Sequence, residues 1–253
     1  MKNFFKKLGH YIKKMIYPNG IKCIFCGDEL NQNEYNSTCE NCIKILPFIE
    51  RCCEKCGNPI TDNNTAVCSI CKSTNYNFTK AISVFEYKNE VLQTIHKFKY
   101  HNGKYLYKPL TKFMLDYFAT QNLFADCVTF VPMFNKKEKL RGYNQAKLLA
   151  EEFSRQTNIL LFDFCEKVVN NTSQTELDFK TRRENVKDTL KFKNELKKDI
   201  KDKTVLVIDD IFTTGATTNE ICKVLLNKGA KACYVFTLAH TPFVKEDEKL
   251  KNL

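Results

Sequence analysis

Eight cysteines set as four C-x-x-C pairs, Cys23/Cys26, Cys39/Cys42, Cys53/Cys56 and Cys68/Cys71, constrain this chain more than any other feature. Two thiolates three residues apart on a tight turn reach one tetrahedral ion, and a second pair across a hairpin completes a four-cysteine set. The gaps inside the two halves are 12 and 11 residues, and Gly27 and Gly57 directly follow the second cysteine of their pairs, where backbone must close around sulfur. Sequential pairing predicts two structural zinc ribbons, with cross-brace pairing (first with third, second with fourth) left open. A redox C-x-x-C needs one pair at the start of a helix in a βαβ context, which none of these has. No histidine or carboxylate replaces a ligand, so the sites read as closed and structural, and Cys52 is surplus to the spacing.

Nine of the 13 cysteines fall between Ile21 and Asn77, among Gly, Asn and Asp punctuation with hardly any helical period, which marks residues 21–77 as a small separate module. Before it, Phe4, Phe5, Leu8, Tyr11, Ile12, Met15 and Ile16 recur at helical spacing between lysines, a short basic amphipathic helix over 1–20. Its surroundings decide between packing on the protein and lying on a membrane surface, and packing is the commoner meaning.

From residue 79 to 244 long apolar periodicities return. They predict a strand over 81–87, helical material over 91–118 broken at Asn102-Gly103, a buried strand over 127–132 and a helix over 143–153. A polar stretch over 170–194 follows, then strand 204–208, a helix ending at Gly229 and a second apolar run over 232–239. Strand, helix, strand in that span is a βαβ unit, so the fold class is α/β with a parallel sheet. Residues 245–253 are a charged tail.

The run Val205-Leu-Val-Ile-Asp-Asp-Ile-Phe-Thr-Thr-Gly-Ala-Thr217 carries the chemistry. Asp209 and Asp210 sit at the carboxyl end of a buried strand, where open α/β sheets bind ligands. Backbone N–H groups of Thr213, Thr214, Gly215, Ala216 and Thr217 at a helix start, with the threonine hydroxyls, form a cradle for a phosphate. Adjacent carboxylates accept hydrogen bonds from a vicinal diol or bear on a divalent cation. Phosphate beside a diol spells a ribose 5-phosphate. A Walker-type loop is excluded, because no Gly-Lys-Ser/Thr follows.

This run resembles the phosphoribosyl pyrophosphate (PRPP) loop of the type I phosphoribosyltransferases. Val131-Pro132, Arg141-Gly142-Tyr143-Asn144-Gln145-Ala146 opening a helix, Gln174-x-x-Leu177 and Arg182/Arg183-x-Asn185 are similar to the ComF family, whose members join this domain to an N-terminal zinc module. The resemblance implies a type I phosphoribosyltransferase fold, a parallel-sheet core with helices on both faces. It implies that Asp209 and Asp210 hold ribose hydroxyls, that 213–217 hold the 5-phosphate and that Mg²⁺ accompanies bound PRPP. A basic residue expected before the Gln174 motif has Lys167 as its nearest match. The implied role is competence: handling incoming single-stranded DNA during natural transformation, beside a competence helicase or other uptake machinery. Arg141, Arg182 and Arg183 are cations suited to a departing pyrophosphate, and each serves equally as a surface ion pair.

The formal charge is +11. Between Val91 and Leu115 there is no acid, while Lys97, Lys99, Lys104, Lys108 and Lys112 alternate with His96, His101, Phe98, Tyr100, Tyr105, Tyr107 and Phe113. Cations that track phosphates and rings that stack on bases suit single-stranded nucleic acid. An amphipathic helix pair, aromatics inward, accounts for the same pattern. The longest uncharged run, 232–244, is 13 residues and contains Pro242, short of the ~20 that a membrane-spanning helix needs. With no export signal and an odd cysteine count, a reducing compartment, the cytoplasm, is expected. Two further readings stand beside the competence role: an active phosphoribosyltransferase on a small acceptor, and a zinc-ribbon scaffold with a degenerate transferase fold.

Overall fold

The computed structural model describes residues 22–30, 35–62, 65–100, 102–169, 186 and 188–243. The expected basic helix over 1–20, the tail over 245–253 and the motif containing Arg182 and Arg183 lie outside them. The chain forms two compact units, Met1–Leu46 and Pro47–Leu253.

The first unit holds one cysteine tetrad. Its first pair closes a knuckle in which the Cys23 N–H donates to Asp28 O at 2.7 Å. Its second pair starts helix α1 (Glu40–Ile45), whose first turn is capped by Cys39: the sulfur accepts from the Cys42 N–H at 3.4 Å.

The second unit repeats this pattern and continues into the α/β domain. Here the Cys53 N–H donates to Asn58 O at 2.8 Å, and Cys68 opens helix α2 (Ser69–Ser73). Residues 47–55 run along the free edge of strand β1 (Lys80–Glu86). The Glu86 N–H donates to Pro47 O, the Ile49 N–H to Val84 O and the Ala81 N–H to Lys55 O, at 2.8 to 3.0 Å. A Cβ on Gly57, at φ +74°, would meet Ala81 O at 2.8 Å, so the knuckle lies against that backbone. The second ribbon thus covers an edge that would otherwise expose unpaired backbone groups.

Beyond β1 come α3 (Asn89–Tyr100), α4 (Tyr107–Ala119), β2 (Cys127–Phe130), α5 (Asn135–Arg141), α6 (Gln145–Thr157) and β3 (Leu160–Leu161). A hairpin of β4 (Cys165–Lys167) and β5 (Leu190–Phe192) follows, then α7 (Lys197–Ile200), β6 (Thr204–Phe212), α8 (Ala216–Asn227) and β7 (Ala232–His240). The main sheet is all parallel in the order β1-β7-β6-β2-β3. Connections β1 to β2 and β2 to β3 step one way across it and β6 to β7 steps back. With right-handed crossovers this puts α3, α4 and α6 on one face and α8 on the other.

Helix α6 shows why the sequence takes this form. Asn144 caps it through the Lys147 N–H, Ala146, Leu149, Ala150 and Phe153 recur on one buried stripe, and Asn158 ends it in the left-handed region. The stripe meets the sheet at Phe236, where Phe153 and Phe118 pack with ring centroids 5.2 to 6.0 Å apart.

Strand β6 differs from its expected end at residue 208. It keeps pairing with β7 through Phe212, opposite His240, because β7 is nine residues long. Strand β2 stops at Phe130, opposite Ile208. Asp209 and Asp210 therefore overhang β2 alone. Strand β5 falls inside the expected polar stretch over 170–194, and the three-residue strands of its hairpin are too short to show a period.

Candidate functional site

The overhang coincides with the place where the chain leaves the sheet in two directions. After β2 it turns toward β3, and after β6 it turns toward β7, so a crevice opens between the two strand ends. A cavity of about 270 Å³ occupies it. Val131, Pro132, Met133 and Phe134 form one wall, Asp209, Asp210 and Thr217 another, and Lys99, Lys137, Arg141 and Lys167 bring positive charge.

The two acids differ in surroundings. Asp210 is 9% exposed and pairs with Lys99, Nζ to Oδ2 at 2.8 Å. Burial lowers the Lys99 ammonium, but the Asp210 carboxylate outweighs it and holds the amine above its usual value. Asp209 accepts the Asp210 N–H at 2.8 Å. Loss of hydration and then the neighbouring Asp210 charge push its carboxyl up to about 8, against the pull of Lys99 and Lys167. Burial, and then Lys137, lower the Lys167 ammonium.

The Arg141–Ala146 segment works as a brace. Tyr143 OH and the Gln145 side-chain amide both donate to Phe98 O, the residue before Lys99. Asn144 donates to Val131 O at 3.0 Å, at the end of β2. Arg141 donates to Gln145 Oε1 at 2.8 Å and its guanidinium lies 4.9 Å from the Tyr100 ring centroid. The Val131 wall and the backbone beside Lys99 are tied to one helix start.

The 213–217 loop leads into α8 with Gly215 as N-cap at φ +70°. A Cβ there would lie 2.4 Å from Phe212 and 3.1 Å from Tyr76, so only glycine fits. Thr214 is buried, its hydroxyl accepting the Ala216 N–H; Thr213, Ala216 and Thr217 are partly exposed.

Of the predicted nucleic-acid lysines, Lys99 belongs to the cleft, whereas Lys97, Lys104 and Lys108 are exposed. The aromatics of that segment divide: Phe98 and Phe113 are core, Tyr100 and Tyr105 are exposed, and Lys97 lies over the Tyr105 ring. Lys137, which no motif marked, also reaches the cleft.

The cysteines gather as Cys23/Cys26 with Cys39/Cys42 and Cys53/Cys56 with Cys68/Cys71, the sulfurs of each set within 4.8 Å of one another. This is sequential pairing. Sulfurs of Cys26 and Cys39, and of Cys56 and Cys68, are 3.7 Å apart, close to the ~3.8 Å edge of a tetrahedron with metal–sulfur bonds of about 2.3 Å. Backbone N–H groups of Cys39 and Cys68 point at Cys23 and Cys53 sulfurs, the second contacts that support bound thiolates. Both tetrads fit zinc.

A parallel sheet with an acid pair and a small-residue loop at its switch point, joined to two four-cysteine ribbons, defines a phosphoribosyltransferase-fold protein with a double zinc ribbon. The phosphoribosyl transferase domain family matches residues 142–252 and the double zinc ribbon domain family residues 12–72. Competence protein F of Haemophilus influenzae is 29% identical over 229 residues, 86% of this chain and 96% of that protein. The DNA utilization protein YhgH of Escherichia coli K12 is 26% identical, covering 80% of this chain and 90% of its own. Competence protein ComFC of Bacillus subtilis is 26% identical over 83% and 90%. These relatives and the two family matches together support the likeness to the ComF family. No helix among the described residues is long and apolar enough to cross a membrane.

Proposed function

We propose that this protein binds PRPP or a related ribose 5-phosphate in the β2/β6 crevice and acts in handling single-stranded DNA during uptake. The observation that carries the ligand is the overhang of Asp209 and Asp210 beside a glycine-capped helix start, with Lys99 paired to one acid. The ribose diol falls to the acids, the 5-phosphate to residues 213–217, and the pyrophosphate to Lys99, Arg141, Lys137 and Lys167, with Mg²⁺ as companion ion. The DNA role draws on relatives named for competence and DNA utilization and on the exposed Lys97, Lys104 and Lys108. Calorimetric titration of PRPP with Mg²⁺ tests the ligand: heat is expected from the wild type and none from Asp209→Asn/Asp210→Asn, and equal heat from both removes the site assignment. Single-strand affinity that ignores salt would remove the DNA role.

The cations around the cleft favour a second reading, phosphoribosyl transfer. The C1–oxygen bond to pyrophosphate breaks as an acceptor atom bonds C1, and clustered cations stabilise the departing charge. PRPP consumed in the presence of bases or DNA, with pyrophosphate released, selects this reading. No heat with PRPP at all selects the scaffold.

A further inference from the structure

The chain leaving the second tetrad does not turn into solvent. Residues 74–79 run beneath the 213–217 loop before entering β1. Tyr76 is 7% exposed, and its hydroxyl donates to Thr214 O at 3.1 Å. Its ring stacks on Phe78 at 4.7 Å, and Phe78 meets the edge of Phe212 at 5.9 Å, the residue that opens the loop. Gly215 is pressed against Phe212 and Tyr76 together. One residue on, the Asn77 N–H and side-chain amide both donate to Asn219 Oδ1 at 2.6 and 3.1 Å, on the first turn of α8.

We propose that the second ribbon is a working part of the ligand site, with Tyr76 as the positioning residue of the 213–217 loop. The proposal rests on the reading that this loop receives a 5-phosphate. In a trans peptide the carbonyl and the following N–H point opposite ways. Tyr76 is not among the residues lining the crevice. By holding Thr214 O, it turns the Gly215 N–H away from the ribbon. Asn77 holds the helix whose N-terminus supplies the remaining N–H groups. Ligand at the loop and metal at Cys53/Cys56/Cys68/Cys71 then favour the same arrangement, and linkage requires each to strengthen the other. The tetrad at Cys23/Cys26/Cys39/Cys42 serves as an internal control.

The test uses the full zinc-loaded chain and PRPP. Tyr76→Phe keeps the ring and loses one neutral hydrogen bond, so PRPP binding should weaken about five-fold with zinc content unchanged. In the wild type, PRPP should slow zinc release to a chromophoric chelator from one tetrad only, assigned by Cys26→Ser, which removes the other phase. That selective protection should disappear in Tyr76→Phe. Wild-type affinity in Tyr76→Phe, or equal protection of both tetrads, overturns the proposal. Should the wild type bind no PRPP, the ligand reading fails, and hydrogen exchange decides the positioning role. Faster exchange of the 213–219 amides in Tyr76→Phe supports it; unchanged exchange overturns it.

Discussion

Lys99 and Asp210 meet at 2.8 Å at the floor of the crevice, joining the end of α3 to a strand 111 positions further along the chain. Their side chains are 21% and 12% exposed. Removing one partner of such a pair leaves the other charge poorly hydrated. Lys99→Met should therefore destabilise the protein by about 2–4 kcal/mol in urea unfolding. With Asp210→Asn added, the loss should be smaller than the sum of the single losses, a coupling read from the double-mutant cycle.

Asp209 makes stability depend on pH with a definite sign. Its carboxyl is raised from the ordinary 3.8 to about 8 by burial and by Asp210. The folded state thus holds this proton more tightly than the unfolded chain. The stabilisation is complete below about pH 4 and is lost as pH climbs to about 8. Asp209→Asn keeps a neutral group, so its advantage over wild type should grow between about pH 4 and pH 8, level off above that, and reach on the order of 2–4 kcal/mol. Melting temperatures at both ends check this; a gap that does not grow with pH contradicts the assignment. PRPP binding should be lost in the same variant.

The two tetrads should respond differently to loss of a ligand. Cys53→Ala and Cys23→Ala should each lower the bound zinc from about two ions to one. Because residues 47–55 pair along β1, Cys53→Ala should also lower the melting point of the α/β domain. Cys23→Ala should leave that transition in place, since Cys23 lies in the unit that ends at Leu46. Metal analysis with calorimetry separates the outcomes.

For single-stranded DNA, each lysine that releases a counterion adds about 0.7 to the slope of log affinity against log salt. Replacing Lys97, Lys104 and Lys108 together by alanine should flatten that slope by about 2. Lys99→Met should change PRPP binding far more than the salt slope, because its ammonium is engaged by Asp210.

What was legible in the sequence was local in the chain. C-x-x-C spacing, the apolar run before Asp209-Asp210 and the small-residue loop after it each lie within a few residues, so spacing alone announces the turn, the strand and the helix start. The pattern over 91–118 likewise marks two helices. Which tetrad shares a unit with the sheet was not legible, since it depends on backbone hydrogen bonds between β1 and Pro47, Ile49 and Lys55 that carry no side-chain signature. Lys99 looked like one more member of a basic stretch. Its ion pair with Asp210, 111 positions away, places it in the crevice, and Tyr143 and Gln145, about 45 positions away, hold the adjacent Phe98 carbonyl. The chemistry of the ligands and acids was written in adjacent residues, where covalent geometry enforces proximity. Their assembly into one crevice was decided by long-range packing, where burial and unpaired backbone groups select a single arrangement from the many that local pattern allows.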